Sequence, residues 1–215
     1  VPWVLPFDTR VRLLHQRLRA LRHARGSDED PRFRFNPETG EMETLERSCR
    51  VRRATIVADA FAQLRDADLA RRVRVEFVSD LGVPEPGIDG GGLFKEFLVA
   101  LTTQAFDPAF GLFVANAETQ QLRPAPRANT EMLRFLGKVL AKALLDGVLI
   151  EPELAPHVLN LMVGRRNTLH DLFTFDRVTY RSLMKLKSLP AAELAALDLR
   201  FTATSVESDT DVALV

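Results

Sequence analysis

The sequence predicts an α+β fold that is mainly helical, and three observations carry that expectation. Apolar residues recur at three- and four-residue spacing through most of the chain, strict alternation is confined to short runs, and no repeat of a solenoid's length is visible. The 215 residues are 46% hydrophobic and 27% charged, with 29 Lys and Arg balanced by 29 Asp and Glu. That length supports a domain with a real core, and the zero net charge argues against a nucleic-acid binder with a whole-chain positive field. No apolar stretch approaches the ~20 residues of a membrane span, because Lys138, Lys142 and Asp146 interrupt the most apolar region.

Val11, Leu14, Leu18 and Leu21 follow Asp8 and Thr9 at helical spacing, which predicts a capped amphipathic helix over 9–23. From Gly26 to Glu46 the chain turns polar and reads as a loop. Cys49 and Val51 alternate with arginines like a strand, Ile56, Val57, Ala60, Phe61 and Leu64 switch to helical spacing, and Val73, Val75 and Phe77 form a second strand ending at the turn around Gly82, Pro84 and Pro86. Leu93, Phe94, Phe97, Leu98, Leu101 and Ala105 outline a helix that Asp89 is placed to cap, and residues 107–128 suggest a hairpin or paired loop. Asn129 or Thr130 caps the next helix, whose inward face is Leu133, Leu136, Leu140, Ala143 and Leu144 and whose stop is Gly147. Pro152 suits the first turn of a helix that runs to Gly164, and Thr168 and Asp176 cap two more, the second carrying Leu183, Leu186 and Leu189. Leu197, Leu199, Phe201 and Ala203 alternate as a last strand, after which residues beyond about 206 are expected to lack partners.

Few constellations point to chemistry. The Gly87–Gly92 cluster opens a helix, but its spacing matches neither G-x-G-x-x-G nor G-x-x-x-x-G-K-[ST]; its glycines are read as permitting positive φ and close backbone approach. Cys49 is the lone cysteine, so no internal disulfide forms, a reducing compartment fits, and the thiol is read as idle rather than nucleophilic. His15, His23, His157 and His170 show no zinc-binding spacing and read as surface or packing residues. Asp59 and Glu96 are expected to pair with arginines. The strip of Arg47, Arg50, Arg52, Arg53, Arg71, Arg72 and Arg74 could touch phosphate, but no aromatics interleave it. The chain begins Val-Pro-Trp without an initiating Met, which reads as a cut from a longer polypeptide.

The order of the segments says more than any one of them. "VRRATIVADAFAQL" (51–64), "VRVEFVSDLGVPEPGIDGGGLFKEFLVAL" (73–101), "FDPAFGLF" (106–113), "LRPAP" (122–126), "FLGKVLAKALLDGVLIEPELAPHVLNLMVG" (135–164), "LHDLFTFDRVTYRSLMKLK" (169–187) and "LDLRFTATSV" (197–206) together resemble the N-terminal lobe of HECT-type ubiquitin ligases. The opening "PWVLPFDTRVRLL" (2–14) resembles a branch of that family. The resemblance implies the larger subdomain of the lobe, with short strands and hairpins, arranged as a lead-in helix (1–25), a polar loop (26–46) and a partial HECT domain (47–215) without its C-terminal lobe. It implies an enzyme that takes ubiquitin from a conjugating enzyme onto a cysteine and passes it to a lysine of a protein substrate, inside the cell in cytoplasm or nucleus. No cofactor, metal, nucleic acid or membrane is implied.

The family's thioester cysteine follows a Thr in the C-terminal lobe, and no Thr-Cys pair occurs here; Cys49 does not stand at that position, so no catalytic residue is assigned to this chain. In the family the subdomain that docks the conjugating enzyme follows the "LDLRF" segment. Ala58 departs from the family, where an acid is common. A noncatalytic interaction or scaffold module derived from the same fold is the alternative.

Overall fold

A computed structural model describes residues 4–24, 33–35, 37–38, 40, 42–44, 47–85, 92–204 and 211–213. Helix dominates, the strands are short, and the chain divides into two units, Val1–Glu153 and Leu154–Val215. Among the described residues no helix is long and apolar enough to cross a membrane.

The first unit opens with α1 (Phe7–Ala24). It starts two residues before the expected boundary because the carbonyl of Pro6 already accepts from the Arg10 amide at 3.1 Å. Asp8 therefore lies inside the first turn, where it favours the helix dipole, instead of capping it. The stretch read as a polar loop carries a hairpin: β1 (Phe33–Phe35) pairs antiparallel with β2 (Met42–Thr44), Phe33 opposite Thr44 and Phe35 opposite Met42. Three-residue alternations are too short to stand out in polar sequence, and Gly40, at φ 71°, supplies a left-handed residue between them.

Next, β3 (Arg47–Val51) runs parallel to β4 (Val73–Phe77), with α2 (Ile56–Leu64) as the crossover. Cys49 faces Val75 and Val51 faces Phe77 in the register, and all four are buried, while Ser48, Arg50 and Arg74 point outward. The period-two pattern thus places one face in the core. Past β4 the chain turns as expected, with Gly82 at φ 76° and the Ser79 amide donating to the Val83 carbonyl.

The helix α3 (Gly92–Phe106) buries Phe97, Leu98, Leu101 and Ala105. Gly92 has no left-handed φ, and a Cβ there would meet nothing within 4 Å, so the expected need for glycine fails at this position. Gly87–Gly91 and Asp89 lie outside the described residues. A 3-10 turn at Pro108–Phe110, capped by Asp107, leads to the hairpin of β5 (Phe113–Ala115) and β6 (Leu122–Pro124), and Phe113 stacks on Phe106 at 4.4 Å.

The helix α4 (Thr130–Asp146) starts at Asn129, whose side chain accepts from the Met132 amide, and stops at Gly147, at φ 67°. Its buried face is Phe135, Leu136, Val139, Lys142 and Ala143. Leu133 and Leu140 are only half-buried, and Leu144 is exposed, because the stripe is centred on residues that contact α2 and α3. Phe135 meets Phe61 edge-on at 5.7 Å. The two lysines that interrupt this apolar segment have structural partners: Lys138 Nζ donates to the Arg65 carbonyl at 2.7 Å and Lys142 Nζ to the Arg71 carbonyl at 3.1 Å, so both hold the α2–β4 connection. Lys142 also pairs with Asp146 and sits 5.3 Å from the Phe94 ring centre.

In the second unit, α5 (Pro156–Met162) starts at Pro156 instead of Pro152, with Ala155 extended before it. The helix α6 (Leu172–Phe175) follows a 3-10 turn that begins at Thr168, which forms a reciprocal capping box with Asp171. Asp176 caps α7 (Arg177–Lys187) through the Thr179 amide and hydroxyl. A further short helix, α8 (Ala191–Ala196), leaves only β7 (Thr202–Thr204) of the expected strand, because Asp198 takes φ 43° and breaks the extended run. Its partner is β8 (Asp211–Ala213), antiparallel, so this part of the tail expected to be partnerless is paired; residues 205–210 lie outside the described set.

Two caps of α4 give a direct check of this account. Asn129→Ala removes a bonded cap and should cost about 1 kcal/mol, and Gly147→Val forces a β-branched residue into left-handed backbone at about 1–3 kcal/mol, both read as a lowered urea midpoint.

Candidate functional site

The richest cluster of charged side chains surrounds the end of β3. The strand aims Arg50 outward, and the extended residues after it place Arg52 and Arg53 over α2 and β4. Arg50 Nε donates to Glu76 Oε2 at 2.6 Å, one strand across. Arg52 grips Asp59 with two side-chain bonds, Nε to Oδ2 at 3.0 Å and Nη2 to Oδ1 at 2.8 Å, and its backbone amide adds a third at 3.0 Å. The Thr55 hydroxyl donates to the same Asp59 Oδ2. Arg53 spans Glu85, after β4, and Glu96, on α3, and its guanidinium lies 4.2 Å from the Phe77 ring centre.

The expected pairing of Asp59 and Glu96 with arginines is therefore what the structure contains. Sequence inspection missed Glu85 and the stacking on Phe77, since no spacing links residue 53 to residue 85. Within the arginine strip, Arg50, Arg52 and Arg53 are held by carboxylates. An open depression of about 440 Å³ adjoins the cluster, lined by Arg53, Gly92, Lys95, Glu96, Val99 and Ala100. Its lining mixes the charged Arg53, Lys95 and Glu96, of which Arg53 and Glu96 are paired, with the aliphatic Val99 and Ala100.

Hydrogen bonds from the Arg52 side chain hold the Asp59 carboxyl far below the ordinary carboxylate range, with the Arg52 amide and Thr55 acting in the same direction. An acid this firmly ionised does not carry protons at neutral pH. Cys49, on the inward face of β3, is 0% exposed, and burial, seconded by the Asp59 charge, pushes its thiol up to about 12. A thiol neutral at physiological pH and sealed from solvent lacks the thiolate that nucleophilic attack needs. His157 lies edge-on to Phe175 at 4.8 Å, and His170 Nδ1 is 3.2 Å from the Tyr180 hydroxyl. Among the described residues no group of three or more His, Cys, Asp and Glu could hold a metal ion.

The comparisons with known proteins add what this geometry does not. Residues 99–215 match the family model described as HECT-domain (ubiquitin-transferase). The E3 ubiquitin-protein ligase UPL6 of Arabidopsis thaliana is 35% identical over 210 residues, covering 93% of this chain and 19% of that protein. The E3 ubiquitin-protein ligase HUL5 of Saccharomyces cerevisiae is 32% identical over 99% of this chain and 24% of its own length. The ubiquitin-protein ligase E3B of Mus musculus is 33% identical over 64% of this chain and 14% of its own. The chain thus spans about a quarter or less of the length of these relatives. The UPL6 match is too long to leave out residues 1–98, so the likeness includes the β3–α2–β4 unit.

Two outcomes follow. Asp59→Asn should lower stability at pH 7 by about 1–3 kcal/mol, as expected when a charge-assisted network loses its anion. Because the folded-state pKa lies below the unfolded value of about 3.9, the contribution is fully present above that value and is lost as pH falls toward the folded one; urea midpoints of the two proteins should converge on acidification. For Cys49, a thiol-reactive chromogenic disulfide should leave the native chain unlabelled over hours and label it completely in denaturant.

Proposed function

Because this chain belongs to the HECT-domain family of ubiquitin transferases, we propose that it forms most of the larger subdomain of an N-terminal lobe in a HECT-type ubiquitin ligase. In this reading the whole enzyme takes ubiquitin from a conjugating enzyme onto a cysteine, releasing the conjugating enzyme's thiol. It then passes ubiquitin to a substrate lysine, whose amine displaces the enzyme's cysteine thiolate. The match of residues 99–215 to the family carries the reading. The cysteine that forms the thioester lies outside this chain: its 215 residues contain no Thr-Cys pair, and the one thiol is buried. Incapable of the covalent step, the chain supplies scaffold. Conjugating enzyme, ubiquitin and protein substrate are partners of the whole enzyme, working in cytoplasm or nucleus, where a lone free cysteine is at home.

With activating enzyme, conjugating enzyme, ubiquitin and ATP, the 215-residue chain should form no reductant-sensitive ubiquitin adduct, whereas the same residues followed by a C-terminal lobe with its Thr-Cys motif should form one. An adduct on Cys49 would overturn the assignment of the chemistry. A folded two-lobed protein that never charges would favour the noncatalytic scaffold.

A further inference from the structure

The molecule carries a second unusual surface, far in sequence from the cluster at β3. Along α1, Phe7, Val11, Leu14, Leu18 and Leu21 are spaced four, three, four and three residues apart, the heptad pattern of a helix–helix seam. One half of that stripe is used: Val11 and Leu18 are half-buried, and α1 contacts α4. The other half is not. Phe7 is 69% exposed, Leu14 42% and Leu21 54%, a row recurring every seven residues.

Beside this row lie Arg10 and Arg17, which occupy the flanking heptad position where charge selects a partner. Arg12 and Arg19 follow on the outer face. Among the described residues none of these four arginines is in an ion pair, in contrast to Arg50, Arg52 and Arg53. Arg10 lies 5.6 Å from the Phe7 ring centre, so apolar and cationic elements share one edge. Among the described residues, cations outside any ion pair therefore line an apolar row that recurs every seven residues.

We propose that this edge of α1 docks an acidic amphipathic helix of a protein partner, with apolar side chains at heptad spacing laid against Phe7, Leu14 and Leu21 and carboxylates set against Arg10 and Arg17. Charge opposes an antiparallel second copy of this chain, which would set Arg10 and Arg17 against each other, and a parallel copy is tested by the self-association arm below. Against a lipid surface stands the narrowness of the exposed row, which half-buried Val11 and Leu18 border on one side and Arg10 and Arg17 on the other, with exposed Leu13 only beyond those arginines.

The probe is a fluorescein-labelled peptide of about four heptads with Leu at the seam and Glu on both flanks, which repels itself. Anisotropy titration with the full 215-residue chain should show saturable binding that weakens as salt rises. Arg10→Glu with Arg17→Glu, and separately Leu14→Gln with Leu21→Gln, should each weaken it about tenfold or more, while Arg10→Lys with Arg17→Lys should retain it. All four side chains are exposed, so circular dichroism and melting temperature should match the unaltered chain. No binding, equal binding of the peptide with Lys in place of Glu, tighter binding to phosphatidylserine vesicles than to the peptide, or self-association abolished by the leucine variants would each overturn the proposal.

Discussion

A two-stranded parallel ladder cannot stand by itself, and the rest of the first unit follows from that constraint. Two strands give few backbone bonds and leave apolar faces open, and the parallel sense demands a long crossover. Here α2 is that crossover, and α2, α3 and α4 together supply the cover. The register sets Cys49 beside Val75 and Val51 beside Phe77, so that both strands commit the same face to the helices. Slipping either strand by one residue would bring Arg50 or Glu76 inward and expose Cys49 or Val75, which explains why the alternation is strict here and loose elsewhere.

The same constraint determines where charge goes. Between Cys49 and Val51 and between Val73 and Phe77 the inward face admits no ion, so Arg50, Arg74 and Glu76 sit on the other face. There, arginines and carboxylates from different elements meet: Arg50 crosses to Glu76, Arg52 binds the first turn of α2 through Asp59, and Arg53 ties the exit of β4 to α3 through Glu85 and Glu96. Individually, exposed pairs of this kind contribute little. Asp59 differs because it is mostly buried and accepts three bonds from one residue, which makes the β3–α2 corner rigid as well as neutral. Lys138 and Lys142 do equivalent work opposite, satisfying carbonyls in the α2–β4 connection that would otherwise lack donors.

Legibility in the sequence tracked how local each cause was. The strands at 47–51 and 73–77, the cap Asn129 and the stop Gly147 depend on neighbours a few residues away and were readable. The hairpin at 33–44 was not, since its two alternations are three residues long and surrounded by polar sequence. Pro152 and Pro156 are equivalent as local signals, and only the extended Ala155 decides that the helix starts at the second. Leu197 to Ala203 alternate faithfully, yet Leu197 closes α8 as its C-cap and Asp198 is left-handed, so the strand forms only over Thr202–Thr204. At the cluster, Asp59 and Glu96 were legible as acids on helices beside apolar residues, though the arginine lies seven residues from one and 43 from the other. Glu85 lies 32 residues from Arg53 and was invisible.

The burial of Cys49 draws these threads into an argument about chemistry. A nucleophilic thiol needs solvent access, a nearby cation or base and room for an acyl group. Cys49 occupies the opposite environment, and it does so for a reason internal to the fold: a residue two before Val51 on a parallel strand must face the helices. Its pKa of about 12 is thus a consequence of register, with the anionic Asp59 adding in the same direction. Kinship with the ubiquitin transferases is accordingly carried by the ordered run of packing segments.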